Sequence, residues 1–471
     1  MCGVSGIRGS HAAFLYCAIS IFISACMNDQ PYLHERQVTH DNKGHCLNST
    51  QCFSPDGKLI VYDTRNVDSA LASNGEIRVV NPGTGEDKLI YQTENQTRFG
   101  PGVGAVTFSP VDNRVLFLAG IRNADSSRPY SMTRRTGFAV DIDSPLRAIR
   151  MDARDILDPF TPGALRGGTH AHTWSGDGKW ISFTYNDHVL TEAASRASKT
   201  DIINTRTVGV MFPRHTEVAA ADDVENISGS MFSVLVTQVV KNPTPGSDEI
   251  GRAFDECWIG NNGYQLRDGS RQERAIAFQG ELIDKVGNKK AEIFVADIPG
   301  DLISRPSNDF LPGTATTLPS VPNGVKQRRI SFTGKGVSTL PRHWLRSTPD
   351  GSMIGYLAED NKGVIQLWTI SPNGGSPVQR SFLNASITGP FNFNATGTLA
   401  AFIADGSVYL TRLSDSKSYR ATPKNSDKGG LVGAVAWSPV ENKISYNRYV
   451  KSGDAEYLQI FTAEIDEAIF R

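Results

Sequence analysis

Residues 52–62 read Cys-Phe-Ser-Pro-Asp-Gly-Lys-Leu-Ile-Val-Tyr, and they carry the signal that decides the fold. The Ser-Pro-Asp-Gly centre is typical of a tight turn, because glycine adopts a positive φ and aspartate hydrogen-bonds to the backbone of the turn. Apolar and β-branched residues follow the turn and favour a strand. The stretch therefore predicts a β-hairpin.

Variants of this hairpin recur along the chain. We take the residue that precedes each turn as its anchor, and the anchors stand at positions 54, 109, 175, 348, 394 and 438. Neighbouring anchors are 44 to 66 residues apart, except for one interval of 173 residues. An apolar run follows each anchor, usually with a further strand after it. Short strands repeated at this spacing are typical of the blades of a β-propeller.

The long interval holds further β-rich runs, including Met231–Thr237 and Arg274–Phe278. We assign one degenerate blade to it, with insertions at about residues 190–228 and 240–272. The prediction is an all-β fold, a single seven-bladed β-propeller over residues 40–471. Eight blades are the alternative if the interval holds two.

Residues 1–25 have the pattern of an export signal. Arg8 precedes a largely apolar stretch, residues 11–25, which is too short for a membrane span. The end of the stretch, Ile23-Ser24-Ala25-Cys26, resembles the bacterial lipobox, in which the cysteine becomes acylated; an ordinary secretory signal is the alternative. We predict a lipoprotein-type signal peptide over 1–25 and a tether over 26–39. The protein would then be exported, as an outer-membrane lipoprotein or in periplasmic or secreted form.

The net charge limits the classes of binding partner, and the cysteine count limits the possible disulfides. A net charge of -1 gives no electrostatic case for nucleic acid, and a membrane is expected only through the lipid anchor. We expect a monomer. Three cysteines follow Cys26, so a full disulfide framework is excluded. Cys46 and Cys52 form a pair in one interpretation, and Cys257 is then free, a buried apolar residue or a metal ligand.

Histidines gather just upstream of the anchors. His170 and His172 stand two apart on an extended segment, which predicts that both face the same way. His170 and His343 each stand five residues before their anchors, and inner strands of a propeller line its channel. We predict a divalent metal site of His172, Cys257, His343 and His45, with zinc favoured over manganese or calcium. The alternative is that the histidines hydrogen-bond to blade backbones.

Two family resemblances follow from these motifs. The hairpin at 53–62 resembles the repeat of the periplasmic Tol propeller protein, which implies the fold. The run Thr-His-X-His-X-X-X-X-Asp-Gly at 169–178 is similar to a hairpin of the oligogalacturonate lyases. Those enzymes are seven-bladed propellers whose inner-strand histidines hold a metal at the catalytic site. The exported ulvan lyases of marine bacteria share the architecture and use His, Tyr and Arg in a canyon across the propeller face.

The lyase resemblance implies β-elimination of an anionic, uronic-acid-containing polysaccharide. That reaction needs a cation on the uronate carboxylate, a base for the C5 proton and an acid for the leaving oxygen. We assign His170 as the base, His188 as a second imidazole at the rim, Arg252 as the carboxylate clamp and Tyr264 as the proton donor. The alternative is a non-catalytic Tol-like propeller that binds a protein or a cell-envelope partner.

An acidic pair, Asp255-Glu256, follows Arg252 closely. Two carboxylates perform glycoside hydrolysis, but adjacent residues of a strand face opposite ways. The pair therefore gives little support to a hydrolase.

Overall fold

The computed structural model describes residues 32–196, 206–219, 221–222, 224–424 and 429–470. Its strands form seven antiparallel blades, which confirms the predicted all-β, seven-bladed β-propeller. The predicted signal peptide, residues 1–25, lies outside the described residues. In the part of the chain that is described, no helix combines the length and the apolar character needed to cross a membrane.

The first three blades follow one another along the chain, and a short strand from the N-terminal side, β1, joins the last blade. Blade 1 contains β2–β4, blade 2 contains β5–β8, and blade 3 contains β11–β14; β9 and β10 pair with each other in the connection between blades 2 and 3. The bounds are β1 Glu35–Gln37, β2 Ile60–Asp63, β3 Glu76–Val80, β4 Asp87–Gln92, β5 Val103–Phe108, β6 Arg114–Gly120, β7 Arg135–Asp141, β8 Ala148–Arg150, β9 Ala153–Arg154, β10 Ala164–Leu165, β11 Gly167–Trp174, β12 Ile181–Asp187, β13 Thr207–Thr216 and β14 Gly229–Leu235.

Blade 4 contains β15 and β18–β20, with the small hairpin β16–β17 inserted after its inner strand, and blades 5, 6 and 7 complete the ring. Their bounds are β15 Arg252–Trp258, β16 Tyr264–Gln265, β17 Arg271–Gln272, β18 Arg274–Ile283, β19 Lys289–Ile298, β20 Lys326–Arg329, β21 Arg346–Ser347, β22 Ile354–Glu359, β23 Ile365–Ile370, β24 Val378–Gln379, β25 Asn392–Phe393, β26 Leu399–Ala404, β27 Ser407–Arg412, β28 Lys417–Arg420, β29 Leu431–Trp437, β30 Lys443–Ser452 and β31 Ala455–Glu464. The described helices are α1 (His188–Arg196) and four short 3-10 helices, Asp68–Ser73, Gly300–Ser304, Ser307–Asp309 and Glu467–Phe470.

The ring is closed by β1, which pairs with β31 as the outermost strand of blade 7. Its Glu35 carboxylate accepts hydrogen bonds from Arg448, at 2.6 Å, and from the Tyr446 hydroxyl, also at 2.6 Å. This buried ion pair joins the two ends of the propeller. The predicted tether over 26–39 is therefore wrong for residues 35–37, which belong to the fold; residues 26–31 lie outside the described part of the chain.

The repeated turns have the local structure that their residue types predict. In the first copy, Ser54 Oγ donates to Asp56 Oδ1 at 2.7 Å, and Asp56 accepts the backbone N–H of Lys58. Gly57 has a φ of 73°, and a Cβ there would lie 2.8 Å from Val440 in the corresponding turn of blade 7. Glycine is therefore required both by the turn conformation and by the packing of neighbouring blades.

The long interval between anchors contains one blade, as predicted, but its strands are divided differently. Met231–Thr237 was expected in the degenerate blade, whereas β14 pairs with β13 and is the outer strand of blade 3. Blade 4 takes its strands from residues 252–329. The predicted insertion at 190–228 therefore contains β13, a strand of blade 3.

Hydrophobic contacts between neighbouring blades fill the space between the sheets. Between blades 3 and 4, Phe212 and Phe232 stack with ring centroids 5.4 Å apart, and Phe278 and Phe294 stack at 5.7 Å. Aromatic pairs bury large apolar areas and hold the blades rigidly. The core thus lies in the blades and leaves the channel to polar residues.

Candidate active site

The inner strands of four blades are interrupted by bulges. The register shifts at Ala105 in β5, at Ala171 in β11, at Asp255 in β15 and at Gly433 in β29, and each of these residues has a positive φ. A bulge turns the side chains around it away from strict alternation. The polar residues of these strands therefore do not follow the period of two that the sequence suggests.

His170 lies on β11 just before one of these bulges. Its side chain is buried, with 7% of the residue exposed, and its Nδ1 has no hydrogen-bond partner among the residues that the structure describes. Burial lowers the pKa of His170 well below the usual value, and the positive charges of Arg135, Arg206 and Arg342 lower it further. The imidazole is consequently neutral at physiological pH.

Four arginines surround this end of the channel, and we call them with His170 the arginine mouth. Arg135 opens β7, Arg206 directly precedes β13, Arg252 opens β15, and Arg342 precedes β21. Each of these positions lies at the end of its blade opposite to the anchor turn. Burial, together with the positive charges of Arg342 and Arg252, lowers the pKa of Arg206 to about 10.

The positive charge of the mouth is only partly balanced. Arg342 Nη2 donates to Asp255 at 2.8 Å, and Arg252 lies 3.8 Å from Glu281. Arg135 instead donates to the Tyr130 hydroxyl at 2.9 Å, and Arg206 contacts the sulfur of Met132. Among the described residues neither Arg135 nor Arg206 has a carboxylate within ion-pair distance. Buried guanidiniums without a carboxylate partner favour the binding of an anionic ligand.

The acidic pair of β15 takes two different positions at the bulge. Asp255, with a φ of 51°, pairs with Arg342, whereas Glu256 Oε2 accepts a hydrogen bond from Thr184 Oγ1 at 2.7 Å. Glu256 Oε1 is buried and has no partner in the described part of the chain, and burial raises the pKa of this carboxyl to about 7. Thr184 is the cross-strand partner of His170. A carboxyl that is half protonated near neutral pH therefore lies beside the strand pair that carries the imidazole.

His172 lies beyond the bulge and belongs to a separate hydrogen-bonded group. Its Nε2 bonds to Thr169 Oγ1 at 3.0 Å, and Thr169 donates to Asp152 at 2.8 Å. Burial lowers the pKa of His172 to about 3 and raises that of Asp152 to about 6. The positive φ of Ala171 breaks the alternation that predicted a shared face for the two histidines.

The four predicted metal ligands do not form a metal site. His343 bonds to Pro341 O through Nδ1 and accepts the Leu357 N–H at Nε2, so both ring nitrogens are occupied. His45 contacts Leu458 O and Asp41 in the same way. Across the described residues, no three His, Cys, Asp or Glu side chains are grouped for a metal ion. The backbone-bonded alternative holds for these two histidines.

The cysteines are also unsuited to zinc. Cys257 is buried, and burial raises its thiol pKa to about 12, so it is protonated and a poor ligand. Cys46 and Cys52 are free, and the predicted pairing between them is wrong. Cys52 Sγ instead lies 3.1 Å from the carbonyl of Asn48. The four predicted ligands therefore do not fit a zinc or manganese centre.

The remaining predicted catalytic residues are dispersed. His188 begins α1, bonds to Thr133 Oγ1 at 3.2 Å and shares no hydrogen bond with His170. Arg252 belongs to the arginine mouth, with 44% of its side chain exposed. Tyr264 is buried beyond the far end of β15, where its hydroxyl donates to Asp297 and accepts from Arg328. Arg252 and Tyr264 thus lie at opposite ends of blade 4.

Sequence reasoning missed most of the site. Arg135, Arg206 and Arg342 were not proposed, and Glu256 was set aside because strict alternation was assumed. Arg342 could have been found by counting back from its anchor, as was done for the adjacent His343. Arg135 and Arg206 follow connections of different lengths, so their distances from the anchors differ and could not identify them.

Fold and site together define this chain as a seven-bladed β-propeller with a basic channel mouth. It belongs to the family of the uncharacterized protein YidR of Escherichia coli K12, to which it is 35% identical over 411 residues, covering 86% of this chain and 92% of that protein. A family model described as a protein of unknown function, DUF3748, matches residues 102–225. That segment includes Arg135, His170 and Arg206, which contribute three of the five members of the mouth.

Solved structures show the same architecture. An oligogalacturonate lyase in complex with manganese aligns over 93% of this chain and 95% of its own, with 12% identity and a TM-score of 0.54. An oligogalacturonate lyase from Vibrio parahaemolyticus aligns over the same shares, with 12% identity and a TM-score of 0.49. At such identity the likeness shows the fold alone.

Proposed function

We propose that this protein is an exported lyase that cleaves a uronic-acid-containing polysaccharide by β-elimination at the arginine mouth. The observation that carries the proposal is a neutral, buried His170 within the field of several arginines, two of which lack a carboxylate partner. The buried His170 Nδ1, without a hydrogen-bond partner among the described residues, supports catalysis rather than binding alone.

Substrate recognition is assigned to the guanidiniums. Arg206 and Arg135 have donors free of carboxylates, and a uronate carboxylate bound there would gain charge-assisted hydrogen bonds. The same positive charge stabilises the enolate-like carbanion that forms when C5 loses its proton. This role replaces the metal predicted from the sequence, because the predicted ligands do not fit one.

His170 is proposed as the base. Without substrate its pKa is lowered by burial and by the arginines, so the ring is neutral and ready to accept a proton. An arriving carboxylate offsets the arginine charges, which raises the basicity of the imidazole when it is needed. The C5–H bond then breaks, a C4=C5 double bond forms, and the C4–O bond to the leaving sugar is cleaved.

Glu256 is proposed as the proton donor in place of Tyr264. Its carboxyl is protonated below about pH 7 because it is buried, and Oε1 has no other partner. Thr184 holds Oε2 and is paired across the strands with His170. Acid and base would therefore be carried by neighbouring blades, and the proton moves from the carboxyl to the leaving glycosidic oxygen.

Export remains part of the proposal. It is supported by the apolar N-terminal stretch and by the Ile23-Ser24-Ala25-Cys26 motif, which would fix the protein to an envelope membrane by lipid. A polymeric substrate outside the cell is consistent with an exported protein.

The test is an assay of the purified propeller on polygalacturonate, alginate and ulvan. Each β-elimination creates an unsaturated uronate, so ultraviolet absorbance should rise with at least one polymer and should not rise with the His170→Ala variant. Circular dichroism confirms that both proteins are folded. If the folded wild type binds a polymer or an envelope protein but gives no absorbance change, the Tol-like binding function is correct and the lyase is not.

A further inference from the structure

A cavity of about 500 Å³ lies at the end of the inner strands opposite to the arginine mouth. It is surrounded by the repeated turns, because the residue that follows each anchor lines it in six blades. Blade 4 contributes Asn261 in the corresponding place. We call this cavity the turn ring, and its six repeat residues are Pro55, Pro110, Gly176, Pro349, Ala395 and Pro439.

The turn ring and the arginine mouth are separate. Inner strands run from one to the other, as β15 does from Arg252 at the mouth to Trp258, which is followed by Asn261 of the ring. No residue of the arginine mouth lines the turn ring. A ligand of the ring would therefore not contact His170.

Among the described residues that line the turn ring, Arg346 is the sole charged one. It is 9% exposed and donates to three neutral oxygens, Asn392 Oδ1 at 2.6 Å, Leu345 O at 2.9 Å and Ser49 O at 3.1 Å. Within the described residues no carboxylate lies in ion-pair range of this guanidinium. Burial lowers the pKa of Arg346 to about 10, which reflects the cost of holding the charge there.

The rest of the ring is apolar or neutral. Phe53, Phe393 and Trp437 line it beside the prolines, and Trp437 Nε1 donates to Asn392 O at 3.0 Å, so its indole is fixed. The volume is within the range of small-molecule sites. The walls therefore combine neutral polar groups with aromatic rings and prolines, and one buried cation among them matches a ligand with one negative charge and an apolar body that packs on the rings.

We propose that the turn ring is a second binding site, for a small monocarboxylate with an apolar body whose carboxylate pairs with Arg346. Arg346 is already fixed by Asn392 and by two carbonyls, so the site is pre-organised. The site is independent of the proposed lyase chemistry.

Isothermal titration of the full-length protein with phenylacetate and with neutral phenylacetamide tests the proposal. Phenylacetate should bind at least about tenfold more tightly than the amide, because only its carboxylate can form an ion pair with the Arg346 guanidinium. The comparison uses the wild-type chain and so does not depend on a variant that folds. Equal affinities, or no binding of either compound, would overturn the proposal.

Two variants then locate the site. Arg346→Gln should reduce phenylacetate binding at least about tenfold and abolish the preference over the amide, and Trp437→Leu should weaken both compounds. Arg342→Gln, in the arginine mouth, should leave phenylacetate binding unchanged. Loss of binding in Arg342→Gln instead would place the acid at the mouth and refute a site in the turn ring.

Discussion

Blades 3 and 5 each have a histidine five residues before the anchor, on the inner strand in blade 3 and just before it in blade 5, and the two histidines have opposite surroundings. His343 in blade 5 has both ring nitrogens bonded to backbone groups. His170 in blade 3 has an unpaired Nδ1 and lies in the field of arginines. The same position in the repeat is therefore structural in one blade and available for chemistry in another.

The difference comes from the connections around each strand. In blade 3 the second and third strands are joined by residues 188–206, which include α1 and deliver Arg206 to the mouth. In blade 5 the corresponding link is residues 360–364. Long connections on a rigid scaffold supply functional side chains. Where the connection is short, the polar side chains of the repeat hydrogen-bond to the backbone of their own blade.

The largest effect is expected from substitution of the two histidines by glutamine. His170→Gln removes the proposed base and should lower kcat/KM on the cleaved polymer by about 10²–10⁴-fold. His343→Gln can replace both backbone hydrogen bonds and should leave kcat/KM within about twofold of the wild type, since its role is structural. The rate of rise in ultraviolet absorbance measures both.

Equal losses in the two variants would break the comparison, since they would mean that both histidines serve the reaction or that neither does. Thermal unfolding of each variant shows whether a loss of rate reflects a loss of folded protein.

The next effect concerns the acid. Glu256→Gln should lower kcat/KM by about a hundredfold, at the lower end of the range for a general acid. In the wild type the pKa of Glu256 is raised to about 7, so the donor proton is present below that pH and is lost as pH rises through it. The wild-type pH profile should therefore fall on its alkaline side with a midpoint near 7.

The same profile measured on Glu256→Gln is the decisive control. The alkaline fall should disappear, because glutamine does not titrate. If the variant keeps the fall at the same pH, another group supplies the proton.

The scaffold of both blades could be predicted from the sequence because its signals are local. Ser54, Asp56 and Gly57 interact within one turn, and copies of that turn mark six blades, whereas the interval of 173 residues left seven and eight blades open. The pairing of Met231–Thr237 is not local, and nothing in the run itself tells whether it is the fourth strand of blade 3 or a strand of blade 4.

The site could be predicted only in part. His170 was found because it stands near a repeated turn. The bulge between His170 and His172 was not predicted, because Ala171 adopts a positive φ, which alanine rarely does, so the sequence gives no warning of it. Arg135 and Arg206 converge on the mouth only when the ring closes, and Tyr264 was chosen by residue type alone.

A smaller effect is expected for the arginines. Arg206 has no carboxylate partner among the described residues, so Arg206→Gln should raise KM for the polymer by about tenfold, with a lesser change in kcat. Arg252 is more exposed and lies 3.8 Å from Glu281, so Arg252→Gln should raise KM by only about threefold. Initial rates over a range of polymer concentrations separate the two constants. An unchanged KM in Arg206→Gln would contradict the proposal that the arginine mouth binds the substrate.

The smallest expected effect is the contribution of His343 to the pH dependence of the free energy of unfolding. Burial lowers the pKa of His343 to about 4, below the 6.5 of an unfolded histidine, so between these values the unfolded chain binds more protons. The free energy of unfolding should therefore fall as pH drops below 6.5, and His343 should contribute on the order of 2 kcal/mol of that loss at pH 5. His343→Gln cannot take up this proton, so urea unfolding at pH 8 and at pH 5 should show a smaller loss in the variant by that amount. An equal loss would mean that burial does not hold the His343 imidazole neutral, and this histidine would then lose its assignment as a purely structural residue.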